Sequence, residues 1–476
     1  MNPILAIDQG TSGTKAVVID DTDHILGLAE VPIRPDYRAG GIVEQDPEQL
    51  WESVLTACRQ ALSQAGTPIS AVALTNQGET VLAWDPHTGT PISPLIVWQD
   101  SRAASVCDEL ADHAELIAER TGLVLDPYFT APKLSWLRRH ATTEGVVTTS
   151  DTWLLHKLTG EFVTDAATAS RSLITSLDTG DYDPELAELF GIDLADQPRI
   201  AANDEIIGTT TEFGAEVPVG GLVVDQQAAL LAENCVNPGE AKCTFGTGAF
   251  FLTNLGQQAT RSRGGLVSCI AWKVDGQLSY CSDGQVYTAA SAVRWLQELG
   301  VISSATDLDL LAVDDAGGAL CVPALAGLAA PWWRSDATAS FTGLSLGTTR
   351  EHLVTAMIQG LAAQVAELSD LVAADLGAPL TRLRVDGGLT RSVAFMQAVA
   401  NLTGLPIDVY PSSHATPLGA VALLRKGLNP ELSLSQAVVS WQPATSYEPA
   451  WSSDRAAQFR QRWRSAVELS LKASQA

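Results

Sequence analysis

The chain has 476 residues, 46% of them apolar, and its 29 Lys and Arg against 55 Asp and Glu give a net charge of −26. A chain of this length exceeds what one hydrophobic core organises, so we expect two domains. So acidic a surface argues against nucleic acid and anionic membranes as partners. The seven cysteines have no paired spacing, which is typical of reduced thiols.

Targeting signals are not evident. The N-terminal residues lead almost directly into a predicted strand, without a basic segment and an apolar segment before it, so we expect no secretory signal. No run of about 18 apolar residues occurs, so we expect no membrane span. Together with the cysteine usage, these features indicate a cytoplasmic protein.

The stretch 4–20 predicts a β-hairpin in which two apolar runs flank a polar turn with two glycines. Glycine lets backbone N–H groups point inward as an anion-binding nest. Asp8 stands where a carboxylate could hold a hydrated divalent cation. An ordinary structural hairpin is the alternative. The side chains that could contact phosphate are Thr11, Ser12, Thr14 and Lys15.

The same pattern returns at 241–254, where Gly246, Thr247 and Gly248 form the turn between two apolar runs. Two such hairpins, roughly half the chain apart, favour phosphate binding and predict a duplicated architecture with a nucleotide between the halves. The boundary is expected near residue 235, so the predicted domains are 1–235 and 236–476.

Polar clusters follow two apolar segments of the first half. The strand predicted at 69–75 ends in the cluster 76–80, which is a ligand site or a capped turn. Trp98, which follows the apolar residues 96–97, is expected either to line a substrate pocket or to pack in the core. Farther along, Asp165 and Arg171 lie in one polar stretch and predict a structural ion pair.

Asp225 ends a short apolar strand and precedes a helix predicted at 228–233. A carboxylate at the end of a strand beside a cleft can act as a general base, and a buried capping role is the alternative. The strand 383–386 ends in two glycines, Gly387 and Gly388, which permit close approach of adenine or ribose, or tight helix packing.

Helix signals are clear at several positions. Asp46 and Pro47 predict a helix start, and Gly66 predicts its end. Lys133 is expected to open a second helix. A further helix is predicted from Val286 to Leu299.

Several motifs occur in an order that resembles the FGGY carbohydrate kinases, within the superfamily of actin-, hexokinase- and Hsp70-like ATPases. The resemblance covers nearly the whole chain, and within the family it is most similar to glycerol kinases. The segments that carry it are Asp8-Gln9-Gly10-Thr11, Asn76 to Thr80, Val97-Trp98-Gln99, 126–137, Asp225-Gln226-Gln227, Gly246-Thr247-Gly248, Phe341-Thr342-Gly343-Leu344 and Asp386-Gly387-Gly388.

The resemblance implies an α/β fold of two ribonuclease-H-like domains flanking a deep cleft, with ATP and Mg²⁺ mainly on the second domain and the polyol mainly on the first. It implies that Asp225 is the catalytic base. The implied polyol contacts are Gly78, Glu79, Trp98, Tyr128, Asp225, Gln226 and Phe250. The implied ATP contacts are Thr11, Ser12, Lys15, Thr247, Gly388 and Ser392, and Asp8 and Asp225 are implied to hold Mg²⁺ through water.

Four positions depart from the glycerol-kinase pattern, namely Gly78 and Lys15 in place of Arg, Ser392 in place of Asn, and Ser101 in an Arg pair of which only Arg102 remains. An Arg at position 78 would hold substrate hydroxyls, and its loss removes up to five N–H donors. The sequence therefore predicts a larger polyol or ketose, or water, in the space, unless a neighbour such as Arg102 reaches into it.

These features predict ATP-dependent phosphorylation of a terminal hydroxyl of glycerol or a closely related small polyol or sugar. A pentulose kinase similar to xylulokinases is the alternative among enzymes, and an actin- or Hsp70-like ATP-driven binding protein is the alternative outside them. The sequence has no Gly-x-x-x-x-Gly-Lys-[Ser/Thr] motif, so a Walker-type ATPase is excluded. A homo-oligomer, dimer or tetramer, is also possible.

Overall fold

The structure, a computed structural model, describes residues 3–474. Its strands are β1 (Ile4–Gly10), β2 (Gly13–Ile19), β3 (Ile25–Pro32), β4 (Asp36–Arg38), β5 (Ile42–Gln45), β6 (Ala71–Asn76), β7 (Val81–Trp84), β8 (Leu95–Ile96), β9 (Val146–Thr149), β10 (Val163–Asp165), β11 (Arg199–Ala201), β12 (Ile206–Thr210), β13 (Val217–Val224), β14 (Ala241–Phe245), β15 (Ala249–Gly256), β16 (Val267–Val274), β17 (Gln277–Val286), β18 (Leu320–Val322), β19 (Ser340–Thr342), β20 (Leu383–Asp386), β21 (Ile407–Val409) and β22 (Thr445–Tyr447).

The α-helices alternate with these strands along the chain. They are α1 (Pro47–Ala65), α2 (Ala104–Glu109), α3 (Ala114–Thr121), α4 (Thr130–His140), α5 (Ser150–Thr159), α6 (Ala166–Ala169), α7 (Pro184–Phe190), α8 (Asp225–Ala232), α9 (Ala290–Glu298), α10 (Asp307–Leu311), α11 (Arg350–Leu376), α12 (Val393–Thr403), α13 (Ala415–Leu428), α14 (Leu434–Ala437) and α15 (Ser453–Ala473).

The first large sheet has the order β12-β13-β6-β1-β2-β3. Strands β1, β2 and β3 run antiparallel, whereas β6 joins β1 in parallel and β13 joins β6 in parallel. The predicted N-terminal hairpin is thereby confirmed, and its register pairs Asp8 with Lys15. One face of the sheet packs against α1 in a core of aliphatic residues and Trp51.

The second large sheet, β16-β17-β15-β14-β20-β21-β22, repeats this plan. Strands β14, β15 and β17 are the antiparallel set, whereas β20 joins β14 in parallel and β21 joins β20 in parallel. The hairpin of β14 and β15 therefore occupies the place that β1 and β2 hold in the first sheet. The duplication predicted from the two glycine hairpins is present in the strand order. The β1–β2 turn and the β14–β15 turn therefore hold corresponding positions in the two sheets.

Helices α8 and α13 pack against each other, and α13 also contacts β1, β6 and β13 of the first sheet. Gly419 allows the close approach, because a Cβ at that position would lie 1.9 Å from the carbonyl oxygen of Ala228. Helix α8 also contacts β15 of the second sheet. The helix that begins at Asp225 is therefore fixed between the two large sheets.

Local signals located α1 well. Asp46 accepts hydrogen bonds from the first helical N–H groups, Pro47 is the first helical residue, and Gly66 ends the helix in the left-handed conformation, as predicted. Two other predicted starts are wrong. Helix α4 begins at Thr130 rather than Lys133, and α9 begins at Ala290 rather than Val286.

The remaining strands form smaller sheets, the largest of which is β4-β5-β8-β7-β9 beside the first large sheet. Trp98 follows β8 of this smaller sheet and lies close to the β1–β2 turn. Within residues 3–474, none of the helices combines the length and the apolar character needed to cross a bilayer.

Candidate active site

Three aromatic side chains from separate elements come together at the mouth of the cleft. The ring of Trp98 lies edge-on to Tyr128, at 5.6 Å between centroids, and to Phe250 of β15, at 6.5 Å. All three rings are partly exposed, so they line a surface rather than fill a core. The indole nitrogen of Trp98 donates to the Thr11 hydroxyl at 2.8 Å, which connects this wall to the β1–β2 turn.

Glu79 lies in the turn after β6, with a φ of 52° and only 3% of its surface exposed. A left-handed conformation is uncommon for glutamate and is found most often where surrounding contacts enforce it. Its carboxylate contacts the Nε of Arg171, whose Nη2 also donates to the Tyr128 hydroxyl at 3.2 Å. Burial raises the pKa of Glu79, and the Arg171 charge opposes that rise.

The predicted pairing of Asp165 with Arg171 is wrong. Asp165 accepts hydrogen bonds from the Ala167 and Thr168 backbone at the start of α6 and from the Asn203 amide. Arg171 instead turns toward the pocket, where Nη1 also donates to Asp283 of β17 at 3.0 Å. Asp165 has its hydrogen-bond partners nearby, as the cap of α6. Arg171 is therefore not needed as a partner of Asp165 and binds residues that are distant in sequence.

Gly78 does not leave the pocket without a guanidinium, contrary to the expectation from the sequence. A Cβ at this position would lie 3.9 Å from the Nε of Arg171 and 3.1 Å from Val224. Arg102, the neighbour that the sequence offered, is held elsewhere by Asp100 and Glu44, at 2.7 and 2.8 Å. The guanidinium beside Gly78 is therefore that of Arg171.

Asp225 is the first residue of α8, at the point where β13 ends. Burial raises its pKa to about 6, the charge of Asp8 adds to that rise, and Lys242 opposes it. The next residue, Gln226, accepts a hydrogen bond at 2.7 Å from the Nζ of Lys242, a fully buried lysine on β14. Asp225 thus lies among polar groups of both sheets, with a pKa suited to proton transfer near neutrality.

Asp8 and Asp225 form a pair of interacting carboxyls. The pKa of Asp8 is also raised to about 6 by burial, while Lys15 beside it acts in the opposite direction. Adjacent carboxylates with hindered ionisation are the hard oxygen donors that Mg²⁺ prefers, with water completing its coordination. Residues 3–474 contain no cluster of three or more His, Cys, Asp and Glu side chains placed to ligate a metal. Asp8 and Asp225 are the two carboxyl donors that this part of the site could offer to a hydrated Mg²⁺.

The polar groups of the two glycine turns differ in exposure. Thr14, which the sequence offered as a phosphate contact, is buried, and its hydroxyl lies 2.7 Å from that of Ser53 on α1. Thr11 donates to the Gln77 side chain at 2.9 Å, while Ser12 at the tip of the turn is exposed. Burial raises the pKa of Asp386 on β20, and the charges of Lys242 and, more weakly, Lys15 oppose that rise. In the second turn, Thr247 is exposed and its carbonyl accepts the backbone N–H groups of 289 and 291 at the start of α9.

The two residues predicted near adenosine differ in their surroundings. A Cβ at Gly388 would meet no atom within 4 Å, so the backbone there borders open space. The hydroxyl of Ser392 donates to Asp309 at 2.7 Å and accepts from the backbone of Phe395 at the start of α12. Its side chain is engaged as a helix cap, which leaves Gly388 as the more accessible of the two.

Sequence reasoning missed several charged residues of the site. Arg171 was assigned to another partner, and Lys242 and Asp283 were not singled out. Lys133 is fully buried. Its ammonium donates to the backbone carbonyls of Pro127, Tyr128 and Phe129, which compensates for the loss of water. A charged residue within an apolar strand, as Lys242 is within 241–245, was the available signal, since unpaired burial of an ammonium is costly.

Family models cover both halves of the chain. The N-terminal domain of the FGGY family of carbohydrate kinases matches residues 3–232, and its C-terminal domain matches residues 241–425. Glycerol kinase of Bordetella parapertussis is 39% identical over 491 residues, covering 98% of this chain and 97% of that protein. Glycerol kinase of Thermus brockianus is 39% identical over 487 residues, covering 98% of each.

A solved structure agrees with these relatives. The crystal structure of Plasmodium falciparum glycerol kinase with ADP superimposes with a TM-score of 0.92 at 30% identity, covering 99% of this chain and 98% of that one. The expected α/β architecture with two domains of this superfamily is therefore confirmed. On the family models and the full-length relatives, the chain belongs to the FGGY family of carbohydrate kinases.

Proposed function

We propose that this protein transfers the terminal phosphoryl group of ATP to a terminal hydroxyl of glycerol or a closely related small polyol. The relatives that match over nearly the full chain are glycerol kinases, at up to 39% identity. The observation that carries the proposal is Asp225. It begins a helix between the two sheets, has a pKa raised to about 6, and interacts electrostatically with Asp8 of the first hairpin and Lys242 of the second.

The acceptor hydroxyls are bound by polar groups around the aromatic wall. Glu79 accepts hydrogen bonds from substrate hydroxyls, and Gln226 supplies an amide beside the reacting oxygen. The rings of Trp98, Tyr128 and Phe250 pack against the carbon chain, which orients it without specifying its length. A rigid arrangement of this kind accelerates transfer mainly by fixing the hydroxyl in line with the phosphoryl group.

Asp225 takes the proton of the attacking hydroxyl at its carboxylate oxygen as the new O–P bond forms and the bond to the leaving ADP breaks. Its raised pKa keeps it basic enough for this role and still ionised at neutral pH. The fixed position at the start of α8 directs the carboxylate into the cleft. Closing the cleft around both substrates excludes water, which limits wasteful hydrolysis of ATP.

The phosphates lie between the two turns in this proposal. Thr11, Ser12 and Thr247 donate hydroxyl and backbone hydrogen bonds, and Lys15 supplies positive charge. Gly388 borders the adenosine, with Ser392 close behind it. Asp8 and Asp225 would hold Mg²⁺ through water, and the ion would supply positive charge against the phosphate groups during transfer.

The proposed function also assigns a role to each domain, a cellular location and an assembly. We take residues 1–235 as the domain with the polyol pocket and the base, and 236–476 as the domain that mainly binds ATP. The cysteines are free and buried in the described part of the chain, which accords with a reducing compartment and with the cytoplasm as its location. A homodimer or tetramer is the assembly that we expect.

A coupled assay of ADP release tests the function. The wild-type protein is offered ATP and Mg²⁺ with glycerol, tetritols, pentitols, dihydroxyacetone or pentuloses, each at equal concentration. We expect glycerol or another small polyol to stimulate ADP release well above the rate without acceptor. Stimulation by pentuloses alone would favour a sugar kinase, and no stimulation by any acceptor would contradict the proposal.

A further inference from the structure

The guanidinium of Arg171 joins side chains from both halves of the chain. Its Nε contacts the carboxylate of Glu79, and its Nη2 donates to the Tyr128 hydroxyl at 3.2 Å. Its Nη1 donates to Asp283 at 3.0 Å and lies 3.7 Å from the sulfur of Cys269. Glu79 and Tyr128 belong to the polyol pocket of the first half, whereas Asp283 lies on β17 of the second sheet.

The charged members of this network are buried from water. Arg171 is 4% exposed, and Glu79 and Asp283 are 3% and 1% exposed. One cation is shared by two carboxylates, and the second oxygen of Asp283 has no hydrogen-bond partner among the described residues. Removing one partner from a buried ion pair leaves an uncompensated charge, which is strongly unfavourable. The positions of Glu79 and Asp283 are therefore energetically linked through Arg171.

We propose that Arg171 and Asp283 act together as positioning residues that couple binding of the polyol to the juxtaposition of the two halves, an inference that rests on the proposed function. The planar guanidinium has donors on three edges, so it can bind both pocket side chains and Asp283 at once. When the second half withdraws, Arg171 loses Asp283 and holds Glu79 and Tyr128 less firmly. The acceptor site is complete only when the two halves are together.

Gly78 lies beside this arrangement. A Cβ at residue 78 would be in van der Waals contact with Nε of Arg171, at 3.9 Å, so a long side chain there would compete for the space that the guanidinium occupies beside Glu79. A pocket whose guanidinium came from residue 78 would have it on the same turn as Glu79. Here it comes from the segment after α6, and that segment lies against β16 of the second half.

The decisive variant is Asp283→Asn, which is nearly isosteric, lies outside the acceptor contacts and removes only the charge. We expect the KM for the polyol to rise by about tenfold or more, the scale of one lost charged hydrogen bond. The KM for ATP, measured at saturating polyol, should stay within about twofold. A purely structural loss would lower kcat through the active fraction and leave both KM values unchanged.

Two further variants complete the experiment. Arg171→Lys should raise the polyol KM at least as much, and Arg171→Lys with Asp283→Asn should be no worse than Arg171→Lys alone, because the two residues act as one unit. The matched control is Asp23→Asn, which breaks a contact at 2.7 Å between Arg425 of α13 and the β2–β3 loop, outside the pocket. It should leave the polyol KM unchanged.

The outcomes separate this inference from the proposed function. An unchanged polyol KM in Asp283→Asn, with an active wild type, would overturn the coupling while the kinase activity stands. Additive effects of the two substitutions would also overturn it. Absence of polyol-stimulated ADP release in the wild type would contradict the proposed function itself, and with it this inference.

Discussion

At the scale of single residues, the candidate site contains buried carboxyl groups, and burial disfavours their ionised form. Asp8 and Asp225 both have pKa values raised to about 6, mainly by burial, and each lies near a lysine that counters the rise. Such groups are common where catalysis requires them and unfavourable for folding. The substitutions that best reveal them are near-isosteric changes that remove one charge.

Asp225→Asn should make the protein more stable at pH 8, in the absence of Mg²⁺ and ATP. The folded pKa of Asp225 exceeds the ordinary 3.8, so ionisation costs stability as pH rises from about 4 through 6, and the cost is complete above that. We expect the variant to gain about 3 kcal/mol at pH 8 and only about 0.5 kcal/mol at pH 4. Thermal melts of both proteins at the two pH values measure the difference.

The comparison between variant and wild type cancels the carboxyls that do not interact with Asp225, such as Asp165, whose pKa burial raises to about 7. A difference in melting temperature that is equal at pH 4 and pH 8 would show that ionisation of Asp225 is not the cause.

Gly78→Arg should reduce activity on glycerol rather than improve it. The added Cβ would lie 3.1 Å from Val224, and a second guanidinium would compete with Arg171 beside Glu79. We expect the specificity constant for glycerol to fall by about tenfold or more, since like charges in a buried site repel strongly. Steady-state kinetics on glycerol and on a pentitol provide the measurement.

Gly78→Ala is the control, because it adds the Cβ without the charge. If Gly78→Arg instead raised activity on glycerol and lowered it on longer polyols, the space beside Gly78 would set the substrate, as the sequence alone suggested.

At the scale of elements, the glycine turns and a helix after the strand near Asp225 were recognisable, whereas several boundaries were not. Helix α8 begins at Asp225 rather than at residue 228. The hairpin at 4–20, the cap at Asp46 and the end at Gly66 depend on residues next to one another, so local patterns located them. The strand β17 runs on to Val286 because it pairs with Ala249 of β15. No local signal reports a pairing with residues that distant in sequence.

The same distinction applies to the site. Asp225, Glu79, Trp98 and Tyr128 lie in motifs that the sequence displays, and the structure brings them together. The contacts of Arg171 were missed because Glu79 and Asp283 lie 92 and 112 residues away from it along the chain. The roles of Arg171 and Asp283 follow from tertiary contacts, which a single sequence does not reveal.

Thr247→Val should weaken the use of ATP more than the binding of polyol. The substitution keeps the β-branched shape and removes only the exposed hydroxyl, while the backbone contacts of Thr247 with α9 remain. We expect the KM for ATP to rise by about 5- to 20-fold, as the loss of one hydrogen bond to a charged group would produce. Initial rates at varied ATP and saturating polyol measure this.

Thr211→Val, in the exposed turn after β12, is the matched control and should change neither KM. If Thr247→Val reduced polyol affinity and left the dependence on ATP unchanged, this turn would bind the other substrate.

Gly419→Ala should destabilise the packing of α8 on α13. The new methyl would lie 1.9 Å from the Ala228 carbonyl oxygen, so the helices must separate. We expect a loss of about 1–3 kcal/mol, as in overpacked cores, and reduced turnover because Asp225 begins α8. Thermal melting and kinetics are measured together.

Gly347→Ala is the control, because the added Cβ meets only the Ser345 hydroxyl, at 3.6 Å, and should be neutral. Full stability in Gly419→Ala would mean that α8 and α13 tolerate wider spacing than the contact suggests.

At the scale of the whole molecule, two similar sheets each place a glycine turn at the cleft, and α8 lies between them. In the proposed function, this duplicated plan would let the two turns hold one nucleotide from both sides. Pocket residues of the first half contact the second half through Arg171 with Asp283 and through Gln226 with Lys242. The site is therefore a property of the assembled pair of domains rather than of either one.

The most direct test of the account is phosphoryl transfer by Asp225→Asn, followed as formation of the phosphorylated polyol and ADP at pH 7.5. We predict a turnover lower by about 10²- to 10⁴-fold, because the base is lost, with ATP binding by calorimetry within about threefold of wild type. A turnover within about tenfold of wild type, equivalent to about 1.4 kcal/mol in the barrier, would contradict the assignment of Asp225 as the base.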